Sequence, residues 1–212
     1  MNTSHLLPHP RYRDLPDPSS SKTLRASGLG TGAQQSSISV RGFRFLADEP
    51  VALGGRDLGP TPMEYVAGGV LSCITVVIDQ LADRQGLVID EVQTYALARQ
   101  DTRGLAGTAD VQPYFHRFHL QIALATAEQD ERRLHAFAVE AERICPAINL
   151  LRDARTGLEV HWAIADSLPE RAAESLANTA WGYHTDGAQP PAPRLTIPER
   201  TASGAEIRAE VA

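Results

Sequence analysis

Two residues in this chain can do thiol chemistry, Cys73 and Cys145, and no other cysteine competes with them. Cys73 lies in an apolar run, where a cysteine ordinarily serves as a small buried hydrophobe. Cys145 stands directly before Pro146, at the expected junction of two helices. Peptide dipoles at a helix N-terminus favour a thiolate, so this position is expected to lower the Cys145 pKa below the free value of about 8.5. The histidines offer less. His116 and His119 fall on a predicted strand at an odd spacing, so they face opposite ways and cannot jointly grip a metal. A cysteine hydrolase pairing Cys73 with His119 or His161 is an alternative, but no nucleophile-elbow sequence surrounds the cysteine. Gly54-Gly55 and Gly68-Gly69 lack the Gly-Lys-Ser/Thr ending of a phosphate loop, which leaves nucleotide binding unsupported.

The elements that must position these thiols are visible in the pattern. Thr61-Pro62-Met63-Glu64 sets a capping threonine, a proline at the first helical position and a glutamate at the third, so a helix is predicted to begin at Pro62 and run to Gly86. It carries Cys73, and because it is apolar on nearly every face it is expected to be buried almost all round. Before it, ISVRGFRF reads as a strand with Arg41 and Phe43 on one face and Arg44 on the other, followed by the turn-rich segment ADEPVALGGRDLGPTP. Further strands are predicted from Leu87, Phe115 and Gly157. Between the last two, Leu134, Phe137, Ala138, Ala141 and Ile144 recur at helical spacing. Pro146 ends that helix and opens a short new one. One more helix is predicted from Leu168 to Tyr183. Residues 1–35, rich in proline and serine, are expected to be a disordered tail, residues 36–165 the folded domain, and residues 166–212 a C-terminal extension, partly helical and then disordered.

Composition narrows the class. The 212 residues are 42% hydrophobic and 22% charged, the balance of a globular protein of one full domain. The net charge is -6, the pI is about 5.6, and Lys22 is the only lysine, which argues against nucleic acid as a partner. The longest apolar run, from Tyr65 to Ile78, is interrupted by Gly68, Gly69, Ser72 and Thr75 and falls short of the roughly 20 residues that span a bilayer, so no membrane partner is expected. The N-terminus lacks the charged and apolar regions of a secretory signal, and a cytoplasmic location is the expectation. Two cysteines in a reducing compartment do not make a disulfide scaffold, so a bond between them would be transient and chemical.

The segment DEPVALGGRDLGPTPMEYVAGGVLSC, followed by an amphipathic helix that ends in ICPAINLL, resembles the OsmC/Ohr family of thiol-dependent hydroperoxide reductases. The resemblance spans about Ile38 to Ile164 and rests on the joint occurrence of DEP, GG, GPTPME, the helix-borne cysteine and the later Cys-Pro. It implies an α+β fold of OsmC type, two central helices packed against antiparallel β-sheet in an intertwined homodimer. It also implies that Cys73 is the peroxidatic and Cys145 the resolving cysteine, with no metal, haem or flavin cofactor. The implied partners are an organic hydroperoxide substrate and an external dithiol reductant, and the apolar neighbours Val66, Val70, Val76 and Val77 suit a greasy hydroperoxide. The family's chemistry uses an arginine to stabilise the thiolate and a glutamate to lock that arginine; Arg41 is the first candidate, with Arg44 and Arg56 behind it, and Glu64 is the carboxylate. Ohr-type peroxidases carry the glutamate directly after the loop proline, where this chain has Met63. At about 100° per residue, Glu64 and Cys73 face opposite sides of a straight helix, and Glu64 also fits the capping box with Thr61. The alternative is a non-catalytic dimeric binding module of the same fold, holding a small apolar or acyl ligand beside Cys73.

Overall fold

The computed structural model describes residues 18–181 and 193–197. The chain forms two compact units, residues 1–62 and 63–212.

In the first unit, β1 (Ser27–Gly32), β2 (Gln35–Val40) and β3 (Phe43–Ala47) make an antiparallel meander. The β1–β2 turn places Ala33 and Gln34 at φ 47° and 58°, the left-handed pair whose twist suits a two-residue hairpin. β1 lies within the stretch expected to be a tail. Its sequence, SGLGTG, has no apolar alternation to read, and the backbone ladder to β2 holds it instead. Arg41 is likewise not on the strand. It occupies the β2–β3 turn at φ 55°, with its guanidinium carbon 5.0 Å from the centroid of the Phe43 ring.

Beyond β3, the buried Asp48 organises the glycine-rich loop. Its carboxylate accepts from the amides of Glu49 (2.9 Å), Arg56 (3.3 Å) and Leu58 (3.2 Å) and from Nε2 of Gln35 (2.9 Å). Burial raises the Asp48 pKa, but these four hydrogen bonds together outweigh it and carry the carboxyl below its ordinary value. The loop passes so close to itself at Gly55 that a Cβ there would stand 1.8 Å from the Glu49 carbonyl oxygen, which only glycine avoids.

The second unit is built on a four-stranded sheet in the order β4 (Glu91–Gln100), β5 (Phe115–Ala125), β6 (Gly157–Ala165), β7 (Leu195–Ile197). Its helices are α1 (Pro62–Gln85), the short α2 (Thr102–Ala106), α3 (Glu131–Ile144), α4 (Pro146–Asp153) and α5 (Ala172–Ala180). α1 begins at the expected proline, and α3 at an Asp130 cap that accepts from the amides of Arg132 and Arg133. The sheet is mixed rather than antiparallel: β5 and β6 run parallel, from Arg117 opposite Gly157 to Ala125 opposite Ala165. Parallel neighbours need a crossover, and α3 and α4 supply it.

One face of the sheet carries the core. Phe118, Leu120, Ile122 and Leu124 of β5 and Val160, Trp162 and Ile164 of β6 pack with side chains of α1, α3 and α4. Complete burial of a side chain such as Ile74 or Phe118 is worth roughly 1.5–3 kcal/mol. The other face is covered at Ala123 by Ala172 and Ala173 of α5. Of the helix expected from Leu168 to Tyr183 the structure forms α5, residues 182 and 183 lying outside the described residues, and β7 is added in the C-terminal extension.

α1 is buried on one side only. Val70, Ile74, Val77, Ile78, Leu81 and Ala82 enter the core, whereas Val66 and Val76 remain 48% and 49% exposed, beside exposed Gly68, Gly69 and Ser72. The helix carries more apolar surface than one sheet face can cover. By length and composition it could also cross a bilayer, a test that a soluble core helix with one buried face passes equally.

Candidate functional site

The two thiols meet in the second unit. Cys73, halfway along α1, is half-buried against the core, and Cys145 is fully buried. The Cys145 thiol donates to the Cys73 sulfur across 3.7 Å. A disulfide needs about 2 Å between the sulfurs, so the two must still close on one another to bond.

Cys145 sits where the sequence placed it, capping α3 at its C-terminus and α4 at its N-terminus, with φ -70° and ψ 114°. Its acidity is the reverse of the expectation. Burial pushes the thiol up to about 11; the amides of Ile148 and Ala147 at the start of α4 pull the other way, and the neighbouring Cys73 sulfur adds to the rise. The helix N-terminus is present, but removal from water outweighs it.

The junction itself is held by side chains that the sequence reading missed. Pro146 has no N–H, so the Glu142 carbonyl loses the partner that a continuous helix would provide. Asn149 reaches back from α4, its Nδ2 lying 3.2 Å from the Glu142 oxygen, 3.0 Å from that of Arg143 and 2.8 Å from that of Cys145. The buried Glu142 carboxylate accepts from the Arg152 guanidinium of α4 and, at 2.9 Å, from Nε1 of Trp162 on β6. A glutamate four residues after Ala138, on the apolar stripe of α3, was the available signal.

Glu64 lies exposed in the first turn of α1, with the unbroken helix between it and Cys73. Arg41 belongs to the β2–β3 turn of the first unit. His119 and His161 occupy strand positions alternate to Phe118 and Trp162, so they face α5, where both rings contact Trp181 at centroid distances of 4.4 Å and 5.1 Å. They lie across the sheet from the thiols, which removes the Cys-His hydrolase alternative.

The family model described as OsmC-like protein matches residues 54–161, just over half of the chain. The chain belongs to the OsmC-like family. Solved OsmC-like structures share its fold. The OsmC-like protein of Mycoplasma pneumoniae is 14% identical with a TM-score of 0.56, over 68% of this chain and 96% of that one. An OsmC-like protein of Vibrio cholerae is 15% identical with a TM-score of 0.53, over 68% and 99%. An organic hydroperoxide resistance protein of Elizabethkingia anophelis is 16% identical with a TM-score of 0.50, over 69% and 98%. No curated protein matches the sequence. The matched region of this OsmC-like chain contains both cysteines and ends before α5 and β7.

Proposed function

We propose that this OsmC-like chain is a cytoplasmic thiol-dependent peroxidase that reduces organic hydroperoxides through a two-cysteine cycle. The observation that carries the reading is the 3.7 Å separation of a half-buried and a fully buried sulfur on different helices. The Cys73 thiolate attacks the distal peroxide oxygen; an S–O bond forms, the O–O bond breaks, and the departing alkoxide takes a proton to leave as the alcohol. Cys145 then attacks the resulting sulfenic acid, forming the S–S bond while the hydroxyl departs with the thiol proton as water. An external dithiol reduces the disulfide by exchange and is itself oxidised. The active form is a homodimer, which the exposed apolar side of α1 supports.

The test is consumption of cumene hydroperoxide with a dithiol reductant. Cys73→Ser should abolish turnover while the protein stays folded. Full activity in folded Cys73→Ser protein defeats the peroxidase reading and leaves the apolar-ligand binding module as the better account.

A further inference from the structure

The break between α3 and α4 places Cys145, and the groups that hold this break are unusually costly ones to bury. Glu142 is 7% exposed, on a helix face otherwise made of Leu134, Phe137, Ala138 and Ala141. A carboxylate in such a place destabilises unless paired and hydrogen-bonded. Both of its oxygens are used, one by Arg152 and one by Trp162. The same residue's carbonyl, stripped of a helical partner by Pro146, takes Nδ2 of Asn149 at 3.2 Å and Nη1 of Arg152 at 3.4 Å. Asn149 also grips the Cys145 carbonyl twice, by Nδ2 at 2.8 Å and by its own amide at 3.1 Å. Three elements, α3, α4 and β6, are thus tied together around one cysteine.

We propose that Glu142, Arg152, Trp162 and Asn149 are positioning residues that fix the α3–α4 break, so that the Cys145 sulfur is held within reach of Cys73 when the latter is oxidised. The inference rests on the two-cysteine reading above. None of the four touches peroxide; they act through Cys145. Their contribution falls on one branch point: a Cys73 sulfenic acid is either captured by Cys145, forming the S–S bond and releasing water, or attacked by a second hydroperoxide, which takes the sulfur to sulfinic acid as another alcohol departs. Misplacement of a reacting group by about 1 Å can cost 10²-fold, so capture is the step that suffers when the ties are cut.

The experiment uses the full chain, fully reduced and then exposed to excess cumene hydroperoxide, with disulfide and Cys73 sulfinic acid quantified by mass spectrometry. Trp162→Phe removes one donor and keeps a large apolar ring; Glu142→Gln removes the charge and keeps the shape. Both should consume the first equivalent of peroxide at nearly the wild-type rate, while the ratio of disulfide to sulfinic acid falls at least about tenfold. Glu140→Gln, which breaks the exposed pair with Arg143 on the same helix, should leave the ratio unchanged. If Glu142→Gln fails to fold, Trp162→Phe decides alone. Wild-type partitioning in the folded variants, or an equal loss in the first step and in capture, overturns the positioning role. A wild type that consumes peroxide yet never forms the Cys73–Cys145 bond overturns the two-cysteine reading itself, and the positioning role with it.

Discussion

Cys145 is a buried thiol whose proton is hard to remove, and this sets the pH dependence of the proposed cycle. Burial, reinforced by the adjacent Cys73 sulfur, carries its pKa to about 11, against a free value of about 8.5. Only the thiolate attacks a sulfenic acid, so below the pKa the attacking fraction rises about tenfold per pH unit. Oxidation of Cys73 changes that neighbour, but burial, the larger cause, persists. The disulfide-forming rate, followed by quenched-flow mass spectrometry from preformed sulfenic acid, should therefore still be climbing at pH 9.5. A plateau near pH 8.5 would show that Cys145 titrates as an exposed thiol, contrary to its burial. Pro146 announced the helix break and hence the position of Cys145; the thiol's acidity followed from its complete burial in the core, which no local pattern prints.

At the scale of elements, α5 rests on the sheet through an aromatic contact that acid should weaken. His119 and His161 are both held below the ordinary histidine pKa by burial, although Glu159, with an oxygen 2.8 Å from Nδ1 of His119, pulls both upward. Arg117 and Arg99 push His119 further down, and His119 does the same to His161. A base whose folded pKa is depressed binds protons more readily once exposed, so the stability present at pH 7 is lost as pH falls below about 6.5. The difference in fluorescence between wild type and Trp181→Phe should shift toward that of a solvent-exposed indole between pH 7.5 and 5. A flat difference spectrum over that range would refute the coupling. Elements with strong local signals were legible: the capped start of α1, the amphipathic α3, and the alternating strands β5 and β6. Those set by partners were not. β1 has no side-chain pattern and exists by pairing with β2, Arg41 reads as strand yet turns the hairpin, and the parallel pairing of β5 with β6 depends on a crossover too long to be scored locally.

For the whole molecule, the unresolved balance is apolar surface. α1 is apolar on nearly every face, yet among the described residues only the side that faces the sheet is buried. What is left is continuous along the helix, with Val66 and Val76 about one-half exposed and Gly68, Gly69 and Ser72 between them offering no bulk to keep another surface at a distance. In the first unit, Leu29 and Phe43 are roughly two-thirds exposed on a three-stranded meander, a size of sheet that needs a covered face to be stable. A second copy of the chain is the occupant that the OsmC-like resemblance implies, and α1 is the surface through which it should act. Sedimentation at micromolar concentration should therefore give a dimer. Val76→Asp places a carboxylate on that surface while leaving the buried side of α1, including Ile74, Val77 and Ile78, intact. An unpaired charge in an apolar interface costs several kcal/mol. At about 1.4 kcal/mol per tenfold, the dimer dissociation constant should rise at least about a hundredfold while the monomer keeps its helical circular dichroism. A wild type that sediments as a monomer, or a Val76→Asp dimer as tight as the wild type, would mean that the exposed side of α1 serves something other than self-association.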